Sequence, residues 1–383
     1  MAGAKSGCWP DKQQQLLLRA ALCPGDTARN AWTQWSSGVD IDLLDLGSYR
    51  LLPLVYRNLK SIGIADAELV KLKRAYRQTW YQNQTLFHRF ASVLRLFREN
   101  GIETMVLKGT ALTLLYYKDT GLRPMADIDL LVQLSERAAA INLLVGQGWS
   151  PVRPIDQRAY VFMHADAFRD SAGRNLDLHW HLLPECHVPS DDSSFWAYSA
   201  TTTVLGEPTR VLSPTDQLLH VCVHGAGWDP VPPVRWVADA MTILRASDEI
   251  DWVRLGSKAR SLQLTLALRD TLEYLSSALS AEIPTTALES LRTTEVSRAE
   301  RLDYVGKTSP PETLSPALYL WIFYRKFQRA AGGAGLGLRM LAFTRFLQHR
   351  WAAPHWWLLP FRAVRHGARI IRRRISPLGA GAK

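Results

Sequence analysis

Cysteine is scarce in this 383-residue chain, and what there is does not cluster. Cys8, Cys23, Cys186 and Cys222 stand far apart, with no Cys-x-x-Cys pair. That argues against a disulfide scaffold and a cysteine-built zinc site, and it fits a reducing, cytoplasmic setting. Long apolar runs are missing too. No stretch reaches the roughly eighteen residues that a spanning helix needs, so none is expected. The N-terminal segment MAGAKSGCWPDKQQQLLLRAAL is interrupted by Pro10, Asp11 and three glutamines, which makes a poor signal peptide. No internal repeat is present.

Acidic residues disappear from the C-terminal end. From Thr313 to Lys383 there are thirteen Lys or Arg and no Asp or Glu. The net charge of +11 therefore belongs to this tail, and the first 312 residues are nearly neutral. Such a tail suits a polyanion, either nucleic acid or an anionic membrane surface, the latter making the protein peripheral at the membrane. A charge run is equally often a solvated terminus. Arg362, Arg365, Arg369, Arg372, Arg373 and Arg374 follow Trp356-Trp357-Leu358-Leu359, and aromatic residues beside arginines fit either polyanion.

At 47% hydrophobic and 21% charged, the composition is that of a globular protein with a sizeable core, long enough for two or three domains. Residues 10–60 read as short helices, one opening at Leu51–Tyr56 with Pro53 in an early position. Ala67–Asn100 reads as a long helix. Its apolar stripe is Leu69, Leu72, Tyr76, Trp80, Leu86, Phe90, Leu94 and Phe97, and Gly101 stops it. Ser135–Gly146 is a further helix and Trp149–Val152 a strand. Residues 159–169 and 175–182 read as a hairpin through Asp170–Arg174. Strict alternation over 175–182 puts Asp177, His179 and His181 on one face, and Leu176, Leu178, Trp180 and Leu182 on the other. From Pro214 onward the pattern is helical, broken at Gly225–Gly227, with helices expected over Arg235–Ala246 and Trp252–Leu279. Two apolar pieces, Leu314–Phe323 and Trp356–Phe361, flank a loose Gly332–Gly335.

The chemistry concentrates between Met105 and Val132. Strand-like Met105–Leu107 runs into Lys108-Gly109-Thr110, a helical segment follows, and Gly121–Pro124 returns the chain to Asp127-Ile128-Asp129. On a strand, Asp127 and Asp129 point to one face and Ile128 to the core. Two carboxylates side by side repel, and a divalent cation such as Mg²⁺ relieves that. A glycine between strand and helix lets backbone N–H groups approach a phosphate, with Lys108, Thr110 and Arg123 as further donors. Alone, the turn also reads as a plain connection and the Asp-x-Asp as a solvated strand end. Together, and with Asp177 as a third acid, they match the needs of metal-assisted phosphoryl or nucleotidyl transfer.

This stretch resembles the DNA-polymerase-β-like nucleotidyltransferase superfamily. It resembles more closely the family called uncharacterised nucleotidyltransferases, in Leu51–Tyr56, in Leu107-Lys108-Gly109 through Asp127–Val132, in Asp177-Leu178-His179-Trp180 and in the later His-rich helix. It is also similar to abortive-infection toxin nucleotidyltransferases, which carry Lys-Gly-Gly-Thr before Asp-x-Asp. The resemblance covers roughly Leu51–Ala246. Thr110 stands where the superfamily has serine, without a second glycine, but the hydroxyl is kept.

An α+β fold is expected: a small mixed-sheet nucleotidyltransferase core flanked by N-terminal helices and a C-terminal helical domain. The segments are 1–100 (helical), 101–212 (core), 213–312 (helical, acceptor side) and 313–383 (basic tail). The activity implied is Mg²⁺-dependent (Mn²⁺ as an option) transfer of an NMP from an NTP such as ATP. The acceptor is RNA, a protein or peptide, or a small molecule. Asp127, Asp129 and Asp177 are the expected catalytic and metal residues, and Lys108, Gly109, Thr110 and Arg123 the nucleotide-binding ones. A nucleotide- or RNA-binding adaptor of the same fold is the alternative. His220 and His224 share a helical face near Cys222, where a metal site lacks a third ligand. Arg235 and Asp239, four apart, are expected to pair on a helix surface. His179 and His181 either reach the metal or hydrogen-bond beside Asp177. His179, His224 and Asp239 are assigned to the acceptor side.

Overall fold

The computed structural model describes residues 8–65, 69–152, 160, 163–186, 189–229, 233–247, 249–315, 317–318, 320–322, 324–325, 336–351 and 353–365. The N-terminal helices are α1 (Lys12–Leu22), α2 (Gly25–Ser36), α3 (Leu46–Tyr49) and α4 (Leu52–Ser61). A reciprocal capping box between Asp11 and Gln14 opens α1, and Pro53 sits in the first turn of α4, where its missing N–H costs nothing.

Helix α5 (Leu69–Glu99) runs for 31 residues and ends at Gly101, whose φ of +72° suits glycine. Its buried face is not the simple stripe read from the sequence, because Trp80 is 46% exposed. The helix bridges two cores. Leu72 and Ala75 enter one, and Phe87, Phe90, Leu94 and Phe97 enter the other. Between them Thr79 and Asn83 are buried, and Asn83 Nδ2 donates to the carbonyls of Thr120 (2.6 Å) and Arg123 (2.8 Å). A polar interruption of the apolar stripe thus anchors the loop before the Asp-x-Asp.

The strands are β1 (Thr104–Val106), β2 (Asp127–Val132), β3 (Ser150–Pro151), β4 (Ala165–Arg169), β5 (Asn175–His179), β6 (Ala200–Val204) and β7 (Glu207–Val211). They form one mixed sheet in the order β3-β4-β5-β2-β1-β7-β6. Pairing is parallel for β2/β5 and β1/β7 and antiparallel elsewhere. The β6–β7 hairpin escapes the sequence reading. Its turn is Leu205-Gly206, both at positive φ, and its strands are Thr-rich rather than alternating. Strand β5 stops at His179, so the alternation expected to 182 fails there. Leu182 N and His181 turn instead to the carboxylate of Asp192, on α8 (Pro189–Ala197). The Asp170–Arg174 loop does close the β4–β5 hairpin, with Gly173 at φ +76°.

Alternation through β2 divides the sheet's faces. Ile128, Leu130 and Val132 join Leu176 and Leu178 in the core beneath α5, together with Ala140 and Leu144 of α7 (Arg137–Gly146), while Leu131 faces the other core. That second core is shared by α1, α2 and α4 with α9 (Pro214–Gly225), α10 (Arg235–Ala246), α11 (Trp252–Ser261), α12 (Thr265–Leu279) and α13 (Thr285–Thr293). The single helix expected over Trp252–Leu279 is two, broken where Gln263 takes φ +58°. Helix α14 (Arg298–Thr308) follows. Gly332–Gly335, and Arg369 with Arg372–Arg374, lie outside the described residues. Among the described residues no helix is long and apolar enough to cross a membrane.

Phe90→Ala empties a fully packed position between α5 and the sheet, and should cost about 3–5 kcal/mol. Trp80→Ala, on the solvent side of the same helix, should cost no more than about 0.5 kcal/mol. Urea unfolding midpoints of the two variants check both.

Candidate active site

In-register parallel pairing of β2 with β5 sets Asp129 directly opposite Asp177. One donor atom each from Asp129, Asp177 and His179 lie within 4.8 Å of one another. Asp129 and His179 are buried and Asp177 is half-buried. Two cationic or polar hydrogens converge on Asp129 Oδ1: Lys108 Nζ at 2.5 Å and His179 Nε2 at 3.3 Å. Burial alone would raise the Asp129 pKa, but these two partners hold it well below the carboxylate range. Asp177 and Asp127 go the other way, pushed up by burial and by the Asp129 charge. Asp127 lies at the open end of β2. The tight donor group among the described residues is therefore Asp129, Asp177 and His179, with Asp127 beside it. His179 is thus beside the carboxylates, and His181 is not, since β5 has ended.

The turn that brings Lys108 to Asp129 is strained. Lys108 has φ +43°, a left-handed conformation that a lysine adopts only when its surroundings require it. It opens α6 (Lys108–Leu112), which continues as a π-helical turn, Thr113–Tyr117. Gly109 is needed for space: a Cβ there would lie 2.6 Å from Arg123 Nη1 and 2.9 Å from Met125. Thr110 is 2% exposed and is not among the residues lining the cleft.

Arg123 reaches across to α10. Its Nε and Nη2 donate to Asp239 at 2.8 and 2.9 Å, and Tyr117 Oη donates to the same carboxylate at 2.9 Å. The surface pair expected between Arg235 and Asp239 is absent. Asp239 is consumed by the buried Arg123, and Arg235 donates to the Pro124 carbonyl instead. Three arginines, Arg50, Arg123 and Arg235, thus gather on one wall around one carboxylate. Among the described residues no carboxylate comes within ion-pair distance of Arg50 or Arg235. Burial and the neighbouring arginines pull the Arg235 pKa down, the mark of a cation lacking its counter-charge.

The wall belongs to a cleft of about 510 Å³ between the sheet, α3 and helices α9 and α10. Lys108, Gly109, Asp127 and Asp129 line one side, and His220, His224, Arg235 and Asp239 the other. His220 is fully buried and His224 opens to the cleft, with ring centres 6.0 Å apart. Burial and the neighbouring His224 hold the His220 imidazole below its ordinary pKa, and desolvation by the cleft walls with the charges of Lys108 and Lys307 lowers His224 as well. Cys222 is buried in the helical core and makes no third ligand for them. Arg50 and Arg235 were missed as site residues. The signal for Arg50 is only that it precedes the Leu51–Tyr56 segment, and Arg235 was masked by an attractive i,i+4 partner.

Residues 47–280 match the model of a family described as uncharacterised nucleotidyltransferase. Among solved structures the chain is similar to the antibiotic-resistance factor ANT(2'')-Ia. The identity is 17%, the TM-score 0.32, and the match covers 52% of this chain and 96% of that one. It is similar also to an antigenic nucleotidyltransferase-like protein from Paracoccidioides brasiliensis. There the identity is 17%, the TM-score 0.33, and the cover 53% of this chain and 95% of that one. A search of curated proteins finds no match.

Removing the Asp239 carboxylate strands the Arg123 guanidinium in the interior. Asp239→Ala should therefore destabilise the fold by about 3–5 kcal/mol, and the double variant Arg123→Met/Asp239→Ala should recover part of that loss. Thermal and urea unfolding of the single and double variants read the difference.

Proposed function

The chain belongs to the uncharacterised nucleotidyltransferase family, and we propose that it moves an NMP from an NTP to an acceptor hydroxyl or phosphate with the help of Mg²⁺ or Mn²⁺. The observation that carries this reading is the Asp129, Asp177 and His179 donor group beside the Lys108–Gly109 turn. Two carboxylates of like charge sit together there, and the buried Nδ1 of His179 has no hydrogen-bond partner. Hard oxygen donors suit Mg²⁺, and the imidazole in the set suits Mn²⁺ equally. Asp129, Asp177 and His179 would hold the ion, with Asp127 at its edge. A bound divalent ion would neutralise phosphate charge and polarise the α-phosphorus.

The remaining work falls to the chain's own groups. The Gly109 turn admits a phosphate close to the backbone, with the Lys108 ammonium beside it. Arg123 keeps Nε and Nη2 on Asp239, which leaves Nη1, beside Gly109, for the triphosphate. Arg50 and Arg235 supply counter-charge along the same wall. The acceptor would enter past His224, and Asp177, opposite Asp129, would orient its hydroxyl and take its proton. The acceptor oxygen then bonds to the α-phosphorus as the bond to the bridging oxygen breaks and pyrophosphate leaves.

One observation favours a second reading, a nucleotide-binding adaptor without turnover. Lys108 Nζ lies 2.5 Å from Asp129 and neutralises it without any metal. The two readings part on pyrophosphate release. With α-labelled ATP, CTP, GTP and UTP, cell extract as acceptor source and either metal, label transfer and pyrophosphate release are expected, and EDTA should abolish both. Asp129→Ala and Asp177→Ala should each lower the rate on the order of 10²-fold or more. Nucleotide binding without pyrophosphate release, or variants as active as the parent, would sink the transferase reading.

A further inference from the structure

The C-terminal region carries a surface that the cleft does not use. A short 3₁₀ turn, Trp356–Leu358, leads into helical residues 359–365. Leu359 and Ala363 turn inward to a groove they share with Phe343, Leu347 and Trp351. The other side is bare. Trp356 is 67% exposed, Phe361 71%, Val364 72% and Trp357, stacked on His355, 53%. Trp357, Phe361 and Val364 follow one another at steps of four and three, so they form one helical stripe. On the helix Leu336–Arg350, Met340 and Leu341 are also half-exposed.

The charged residues of this C-terminal stretch are of one sign. Thirteen Lys or Arg and no carboxylate occur from Thr313 onward. Arg325 pairs with Asp303 of α14 and ties the region to the body. Among the described residues Arg345, Arg362 and Arg365 have no carboxylate within ion-pair distance. An apolar stripe led by Trp357, with Trp356 exposed before it and arginines without carboxylate partners, has the make-up of a helix lying in the headgroup region of a bilayer. The indole rings favour that wet–dry boundary, and arginines attract anionic lipid within a Debye length. A nucleic-acid surface accounts for the arginines and the two indoles, but it leaves the aliphatic Val364 and the continuous apolar stripe facing water. We propose that residues 356–365 form an interfacial anchor that lays this protein on an anionic membrane, without spanning it.

The full chain, mixed with phosphatidylcholine vesicles with and without phosphatidylserine, is expected to float only with the anionic vesicles and to show a blue shift of tryptophan emission. The triple variant Trp357→Ser/Phe361→Ser/Val364→Ser removes only exposed side chains, so its melting temperature should match that of the parent. Its flotation should fall at least about tenfold, given the apolar area lost. The variant Arg345→Gln/Arg362→Gln/Arg365→Gln should lose the preference for phosphatidylserine. Absence of flotation by the parent, or equal flotation of a folded triple variant, overturns the proposal. So does a tRNA gel shift that the triple variant loses while vesicles bind neither protein.

Discussion

The parallel pairing of β2 with β5 is the constraint on which the rest depends. Its register brings Asp129 and Asp177 shoulder to shoulder on the cleft side of the sheet, while Ile128, Leu130, Leu176 and Leu178 lock the other side into the core beneath α5. Because the side-chain period is two, a slip of one residue would turn the carboxylates into the apolar core beneath α5 and the leucines toward the cleft. The apolar face therefore enforces an arrangement that the polar face resists. Like charges at this range raise the free energy of the folded chain. Lys108 and His179 outweigh that at Asp129, where both hydrogen-bond, while at Asp127 and Asp177 burial and the Asp129 charge prevail and the pKa values stay raised. Lys108 takes its strained φ where β1 passes into α6, and from there its ammonium sits on Asp129.

A second constraint joins the sheet to the helices. Asn83 of α5 holds the loop carbonyls of Thr120 and Arg123, and Arg123 in turn is gripped by Asp239 of α10. Three segments far apart in sequence meet in this chain of contacts, and the cleft is the space left between them. Cores flank it on both sides: α5 and α7 under the sheet, and the N-terminal helices packed with α9–α13 above. Arg50 stands in the cleft because the N-terminal helices share that upper core.

Much of the site was readable in the sequence. The alternation around Asp127-Ile128-Asp129 and Asn175–His179 identifies strands with one acidic face, and Gly109 between strand and helix marks a close approach. The family resemblance rests on the same residues. The reading failed where a local rule met a distant competitor. Arg235 and Asp239 have ideal helical spacing, but a buried guanidinium from residue 123 offers Asp239 two hydrogen bonds and greater desolvation, and it wins. Alternation past His179 breaks because Asp192 captures His181. The stripe on α5 misplaces Trp80 because the helix serves two cores in turn, which no single period describes.

Periodicity and composition determined which residue types face core or solvent, that Asp127, Asp129 and Asp177 lie on acidic strand faces, and that the tail is basic without counter-charge. Those properties are local, written in steps of two or 3.6 residues. Only the tertiary structure decided the partners: that His179 joins Asp129 and Asp177, that Lys108 sits on Asp129, that Arg123 is held by Asp239, and that Arg50 and Arg235 share the wall beside them. Apart from Asp177 and His179, which share one face of β5, these contacts link residues that nothing local ties together, so strand register and the packing of two cores had to be in place before they could form.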